Sequence, residues 1–198
     1  MPPFIFFAPQ APGACCVYQL SCRKVQGDII SDRAEIFGAL TQILVLFDMK
    51  PLDLTAHPPR SPYEKMEGLL MLPRTIDKLR AKLPGGQIGS YTIRGSSSLL
   101  PGFSLVLLDG IGVTDDRLLK IVEHAEVDQE IAHWLRRNAD LSCVDTLNQK
   151  LLGRRIEDVL AVVPPEVITK VYPFIEKMAK TRSMFDVLLE DDRLTFPN

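Results

Sequence analysis

The sequence predicts an all-α protein, an irregular bundle of five or six helices with one long ordered loop. Three observations carry this. Apolar residues recur at helical spacing through most of the chain after Met49. Segment after segment there opens with a capping residue or an early proline. Sustained strand-like alternation does not occur.

The elements follow in order. Ser61-Pro62-Tyr63-Glu64 has the form of a capping box with proline at the first helical position. Met66, Leu69, Leu70, Ile76, Leu79 and Leu83 continue it at helical spacing. Pro73 lies inside this pattern, so a bend and an unpaired carbonyl near Leu69 are expected. Leu83-Pro84-Gly85-Gly86 ends the helix, and residues 87–112, punctuated by Gly, Ser and Pro, read as the long loop. Within that loop the apolar run 103–108 is too short for periodicity to decide between strand and helical turn.

Thr114-Asp115-Asp116 caps the next helix, with Leu118, Leu119 and Val122 inward. Asp128 is the expected cap of another, carrying Ile131, Trp134 and Leu135 inward and Arg136-Arg137 at its negative end. Ser142, with Asp145 three residues on, opens a further helix. Pro164-Pro165-Glu166 starts a later one, interrupted at Pro173.

Residues 1–48 differ in character: they lack sustained period and caps, and they hold Cys15, Cys16 and Cys22. We expect them to be a non-native or disordered extension upstream of a true start at Met49, with residues 49–198 forming a single helical domain.

Blocks of residues after Met49 carry a resemblance. Leu52-Asp53-Leu54-Thr55 followed by Pro58-Pro59-Arg60-Ser61-Pro62 form one; Met71-Leu72-Pro73-Arg74-Thr75-Ile76-Asp77-Lys78 with Arg80 form the second. Asp128-Gln129-Glu130-Ile131 with Trp134, and Phe185-Asp186-Val187-Leu188-Leu189 before Asp191-Asp192, complete the set. Together they resemble a bacterial family of small proteins designated domain of unknown function 5069. Met184 stands where that family commonly has tryptophan, and the loop before Val113 fits it poorly. The resemblance implies a small helical protein and brings no activity with it.

Composition narrows the function classes. Lys and Arg total 23 against 25 Asp and Glu, a net charge of −2, so no broad basic field exists for nucleic acid or an anionic membrane. The longest strongly apolar stretch, residues 36–47, is far short of the roughly 20 residues that span a bilayer. A secretory signal wants an early basic residue, and the first here is Arg23. Pro12 spoils the faint lipoprotein-like Gly13-Ala14-Cys15. With four cysteines and no Cys-x-x-Cys, a reducing cytoplasm fits best.

No cofactor is expected. Gly85-Gly86-Gln87-Ile88-Gly89-Ser90 follows a helix and lacks the phosphate-loop lysine, and Gly110-Ile111-Gly112 is half a dinucleotide fingerprint with Asp115 in place of the third glycine. His57, His124 and His133 do not have metal-ligand spacing, so each reads as a loop or surface histidine. Cys143 reads as a packed thiol and Trp134 as core.

The densest charge constellation is Arg74, Asp77, Lys78 and Arg80. One reading is a solvated helix face whose exposed pairs contribute at most about 1 kcal/mol each. The other is an anion site: Arg74 presents a planar donor fork oriented by Asp77, Lys78 adds a point charge, and Tyr91 closes the site from the loop. Two functions follow. The first is a cytoplasmic module that binds an unknown protein partner or assembles into a homo-oligomer; the second is an enzyme or binding protein for a small anionic ligand. Convergence of Arg74, Asp77 and Tyr91 in one concavity would favour the second.

Overall fold

A computed structural model describes residues 51–97 and 100–197. The expectation for residues 1–48 lies outside them.

The Ser61 capping box forms its bonds but starts no helix. Tyr63 N donates to Ser61 Oγ at 3.2 Å, and Ser61 N donates to Glu64 Oε1 at 3.3 Å. The chain then enters a hairpin of β1 (Lys65–Met66) and β2 (Leu69–Leu70), paired antiparallel with Lys65 opposite Leu70. Glu67 and Gly68 at its tip have φ of 51° and 77°. Two successive left-handed residues are what a tight hairpin turn needs, and they break any helix. Asn148 pins this tip: its Oδ1 accepts from Leu70 N at 3.0 Å and its Nδ2 donates to Gly68 O at 2.8 Å.

Helix α1 (Leu72–Arg80) begins immediately after, with Pro73 in its first turn. There the missing donor costs nothing, because the first N–H groups of a helix have no partner within it. The expected bend at Pro73 therefore does not arise: proline starts this helix, and Leu69 belongs to a strand. Every residue of α1 is buried.

A bridge between Asp53 and Gln87 ties the first described residues to the loop after α1, with Leu54 N donating to Gln87 O at 2.7 Å. A short hairpin, β3 (Gly95–Ser97) with β4 (Leu100–Pro101), interrupts that loop. Gly102 follows; a Cβ there would stand 2.7 Å from the Ile93 carbonyl oxygen, so only glycine lets these strands close against each other.

Residues 103–110 are helical: α2 (Phe103–Gly110) buries Phe103, Leu107 and Leu108. Next come α3 (Asp115–His124), α4 (Asp128–Asn138), α5 (Val144–Gly153), α6 (Ile156–Leu160) and α7 (Pro165–Val171). A 3-10 turn at Ile175–Lys177 leads to the last, α8 (Met184–Thr195). Eight α-helices thus stand among the described residues against five or six expected. The additions are α2, α6 and α8, two of them a few turns or less and without a long apolar period.

Thr114 caps α3 as expected, its Oγ1 accepting from Arg117 N at 3.2 Å. Asp128 and Ser142 do not cap. The N-cap of α4 is Val127, and the Asp128 carboxylate is taken by arginines. The N-cap of α5 is Cys143, while Ser142 bonds to Asp140 instead. The Cys143 thiol donates to Gly110 O at 3.2 Å, a packing contact.

The core forms around α1. It packs against α2 and α3, and α2 packs against α5. One cluster of buried apolar side chains extends from Leu69 to Val187, with Leu69, Leu72, Ile76, Leu79, Leu107 and Leu118 fully buried. The site depends on this placement of a charged helix at the centre of an apolar cluster.

Candidate functional site

The four charged residues of α1 are not on a solvated face. Arg74 is 1% exposed, Asp77 4%, Lys78 7% and Arg80 0%. A charge removed from water needs a partner, so the bonds of each residue define the site.

They divide into two sets. On one side Asp77 receives Arg60, whose backbone N–H donates at 2.8 Å and whose guanidinium donates at 2.7 and 3.0 Å. Arg60 also donates to Asp128. Burial alone would lower the Arg60 guanidinium, but hydrogen bonds and charge from Asp77, then Asp128, hold it above its ordinary value. Arg80 lies 2.8 Å from the same Asp128 carboxylate. Among the described residues none of the Arg80 nitrogens has an aligned hydrogen bond, so this contact is one of charge. The set Asp77, Arg60, Asp128, Arg80 alternates in sign and locks the entry segment and α4 onto α1.

On the other side Arg74 spends its fork on Asp192 of α8, at 2.7 and 2.9 Å. It also donates to the Pro59 and Arg60 carbonyls, at 3.3 and 3.1 Å. Tyr91 Oη donates to Asp192 Oδ1 at 2.7 Å, and the Tyr91 ring lies 5.4 Å from the Arg74 guanidinium and 6.0 Å from Lys78 Nζ. Burial, then the bond to Asp192, pushes the Tyr91 hydroxyl well above its usual range.

Arg74, Lys78 and Tyr91 meet at a cavity of about 180 Å³, but Asp77 is not on its wall. Helical spacing pairs Arg74 with Asp77 one turn on; the structure gives Asp77 to Arg60 and Arg74 to Asp192. Neighbouring positions on one helix are close, but the more distant carboxylate here matches the Arg74 fork in geometry.

The cavity also holds groups that the sequence reading passed over: Arg154, Tyr172 and Asp191. Arg154 directly follows α5, donates to Pro101 O at 3.1 Å, and lies 5.1 Å over the Phe103 ring. Burial lowers its guanidinium below the ordinary value. Burial and then the charge of Asp192 raise the Asp191 carboxyl, and burial pushes the Tyr172 hydroxyl up to about 12. Only the Asp191-Asp192 doublet was visible in sequence, as part of a family-like ending. Nothing local marks Arg154, which reaches the cavity because α5 ends beside β4.

Lys78 is the exceptional group. Its Nζ donates to the Thr92 carbonyl at 3.1 Å and forms no ion pair among the described residues. Burial first, and then the charge of Arg74, push its amine down to about 7. Arg154 likewise has no carboxylate partner among the described residues, whereas Arg60, Arg74, Arg80, Arg94 and Arg136 each have one.

His124 and His133 fall on α3 and α4 beside Trp134, at a shallow surface groove, and His57 is exposed. Trp134 is half-buried under the Arg117 guanidinium, 4.9 Å from its ring. Among the described residues no three His, Cys, Asp or Glu side chains are grouped to hold a metal ion. No described helix is long and apolar enough to cross a membrane.

The sequence profile of a family described as Domain of unknown function (DUF5069) matches residues 56–192, more than half of the chain. No curated protein matches it. The matched span contains Arg74, Lys78, Tyr91, Arg154, Tyr172, Asp191 and Asp192.

Proposed function

The chain belongs to the DUF5069 family, and from the cavity lined mostly by the family's matched span we propose that it binds a small anionic molecule there. One observation carries this reading: Lys78 and Arg154 both border the same cavity without a carboxylate partner among the described residues. Buried or half-buried cations are ordinarily paired, since desolvating a charge costs several kcal/mol unless another charge offsets it. An anion between the two supplies that offset.

The size is that of a small metabolite. A dry cavity of about 150 Å³ admits benzene, and this one is about 180 Å³. Met71, Phe103, Met184 and Leu188 give it an apolar wall, and Tyr91 and Tyr172 add hydroxyls. Apolar lining with a few convergent polar groups is the usual make-up of a ligand site. Arg74, expected to be the anion's fork, instead fixes the wall: with Asp192 it holds Tyr91 in place. The fork passes to Arg154, and Lys78 keeps the point-charge role.

A module that binds a protein partner or a second copy was the other expectation, and it rested on missing motifs. A cavity bordered by two cations without a carboxylate partner among the described residues is a positive feature, so the ligand reading stands ahead of it. The cysteine pattern favours a reducing, cytoplasmic setting, which cell fractionation tests.

The test is thermal. A ligand that binds only the folded chain stabilises it by about 2.7 kcal/mol at a concentration 100 times its dissociation constant. Acetate, lactate, pyruvate, phosphate and citrate, each at fixed ionic strength, should include at least one that raises the melting temperature of the wild type. That anion should not stabilise Arg154→Gln. Equal shifts in both proteins, or no shift with any anion, would reject the reading.

A further inference from the structure

We propose that Lys78 is a nucleophile, forming an imine with the carbonyl carbon of a small 2-oxo acid whose carboxylate lies against Arg154. This rests on the anion-pocket reading and adds to it a substrate class and a covalent step.

The geometry points to the amine first. Lysine is almost never fully buried unless paired, yet Lys78 is 7% exposed and, among the described residues, bonds to the Thr92 carbonyl alone, at 3.1 Å. A structural lysine in this position would have a carboxylate. Asp192 is the natural candidate on that side, but Arg74 and Tyr91 already occupy its oxygens. Lysine becomes a nucleophile when burial or a neighbouring cation favours its neutral form, and here both act. Arg74 on its own helix, Tyr91 on the loop, Arg154 after α5, Tyr172 after α7 and Asp191 on α8 line the cavity with it, and Asp192 acts on it by charge.

The substrate class follows from having two contacts to offer. The Arg154 guanidinium, which has no carboxylate among the described residues, can take one through its planar fork. A free amine on the same cavity can take an electrophilic carbon. A molecule with a carboxylate and a ketone side by side uses both, and a small 2-oxo acid fits a cavity of this size.

The step balances without an oxidant or reductant. The neutral Nζ adds to the carbonyl carbon, forming a C–N bond, while the carbonyl π pair moves to oxygen, which takes up a proton. The nitrogen releases the proton that the addition left on it. In the resulting carbinolamine the hydroxyl takes a second proton and leaves as water, and the nitrogen lone pair closes the C=N bond. Loss of the remaining N–H proton returns the proton that was taken up, so amine and ketone have become imine and water. Asp191 is on the cavity wall with its carboxyl raised by burial and by Asp192, so it can give and take these protons.

The experiment treats the full chain with pyruvate and sodium cyanoborohydride, then maps adducts by peptide mass. Lactate, which has the carboxylate but no carbonyl, serves as competitor. The expected result is a reduced pyruvate adduct concentrated at Lys78, suppressed by lactate and lost in Lys78→Arg. Adducts spread over exposed lysines, or unchanged by lactate, overturn the proposal. If Lys78→Arg fails to fold, the wild-type map and the lactate competition decide alone. Failure of the two readings is distinguishable. Stabilisation by lactate and pyruvate without an adduct removes the imine and leaves anion binding, while neither stabilisation nor adduct removes both.

Discussion

Asp192 accepts two hydrogen bonds from Arg74, at 2.7 and 2.9 Å, across 118 residues of chain. The guanidinium is buried and the carboxylate nearly so, with 1% and 9% of their side-chain surfaces exposed. Removing one partner of such a pair strands a charge in the core. Asp192→Ala should therefore cost about 3–5 kcal/mol, read by urea denaturation. The double variant Arg74→Met with Asp192→Leu should recover most of that, because replacing both ions with apolar groups of similar volume is near neutral. A small loss in the single variant would show that the pair is not what fixes α8 to α1.

The second set of charges gives a parallel expectation. Asp128 is the ion partner of Arg80, which is fully buried. Asp128→Ala leaves Arg80 without compensation and removes one of the two carboxylates that bind Arg60. A loss of about 3 kcal/mol or more follows. Asp128→Asn separates charge from shape: it should still lose most of this, since a neutral amide cannot balance Arg80.

Lys78 sets a pH dependence of stability. Its folded-state amine titrates near 7, against 10.5 when free. Below 7 both states carry the proton and folding bears the full cost of burying it; between 7 and 10.5 the unfolded chain binds more protons, so stability rises with pH in that window. Lys78→Met should abolish that rise. At pH 7 the same variant should be more stable than the wild type by about 1–3 kcal/mol, after the lost bond to Thr92 is counted. Matched unfolding curves at pH 6.5 and 9.5, values on either side of the titration, measure both effects; an equal slope in variant and wild type would count against a lowered Lys78.

Anion affinity should run the opposite way. A bound anion favours the ammonium form, so proton uptake at Lys78 accompanies binding above pH 7. Affinity is then highest below 7 and weakens as pH rises past it. The Tyr91 and Tyr172 hydroxyls are both raised, so neither gives up its proton across that range. Calorimetry in buffers of different ionisation enthalpy reads the proton directly. The effect should vanish in Lys78→Met.

Asn148 is the test of the hairpin. It satisfies Leu70 N and Gly68 O from α5. Asn148→Ala leaves both without that partner, at about 1–3 kcal/mol for each group that water cannot reach. Hydrogen exchange at Leu70 should accelerate more than at α8, and a uniform change across the chain would mean the contact is not local.

The sequence by itself determined the local punctuation. Thr114 had to cap, because a hydroxyl there reaches the N–H three residues on. Pro165 had to begin a helix, and Pro173 had to follow the end of one. The helical class, the family and the weight of charge on residues 74–80 were legible for the same reason: each is carried by neighbours in the chain. The tertiary structure decided the rest. Pro73 reads as a kink only if a helix already runs through it, and the left-handed backbone at Glu67 and Gly68 removes that helix. Asp128 reads as a cap until Arg60 and Arg80 are brought to it from other parts of the chain. Asp77 is one turn from Arg74, and Asp192 is 118 residues away, yet Asp192 is the partner. Helical spacing fixes which side chains can be neighbours on one element. Which of them are buried, and hence which charges must find partners, depends on what packs around that element, and α1 is covered on every side.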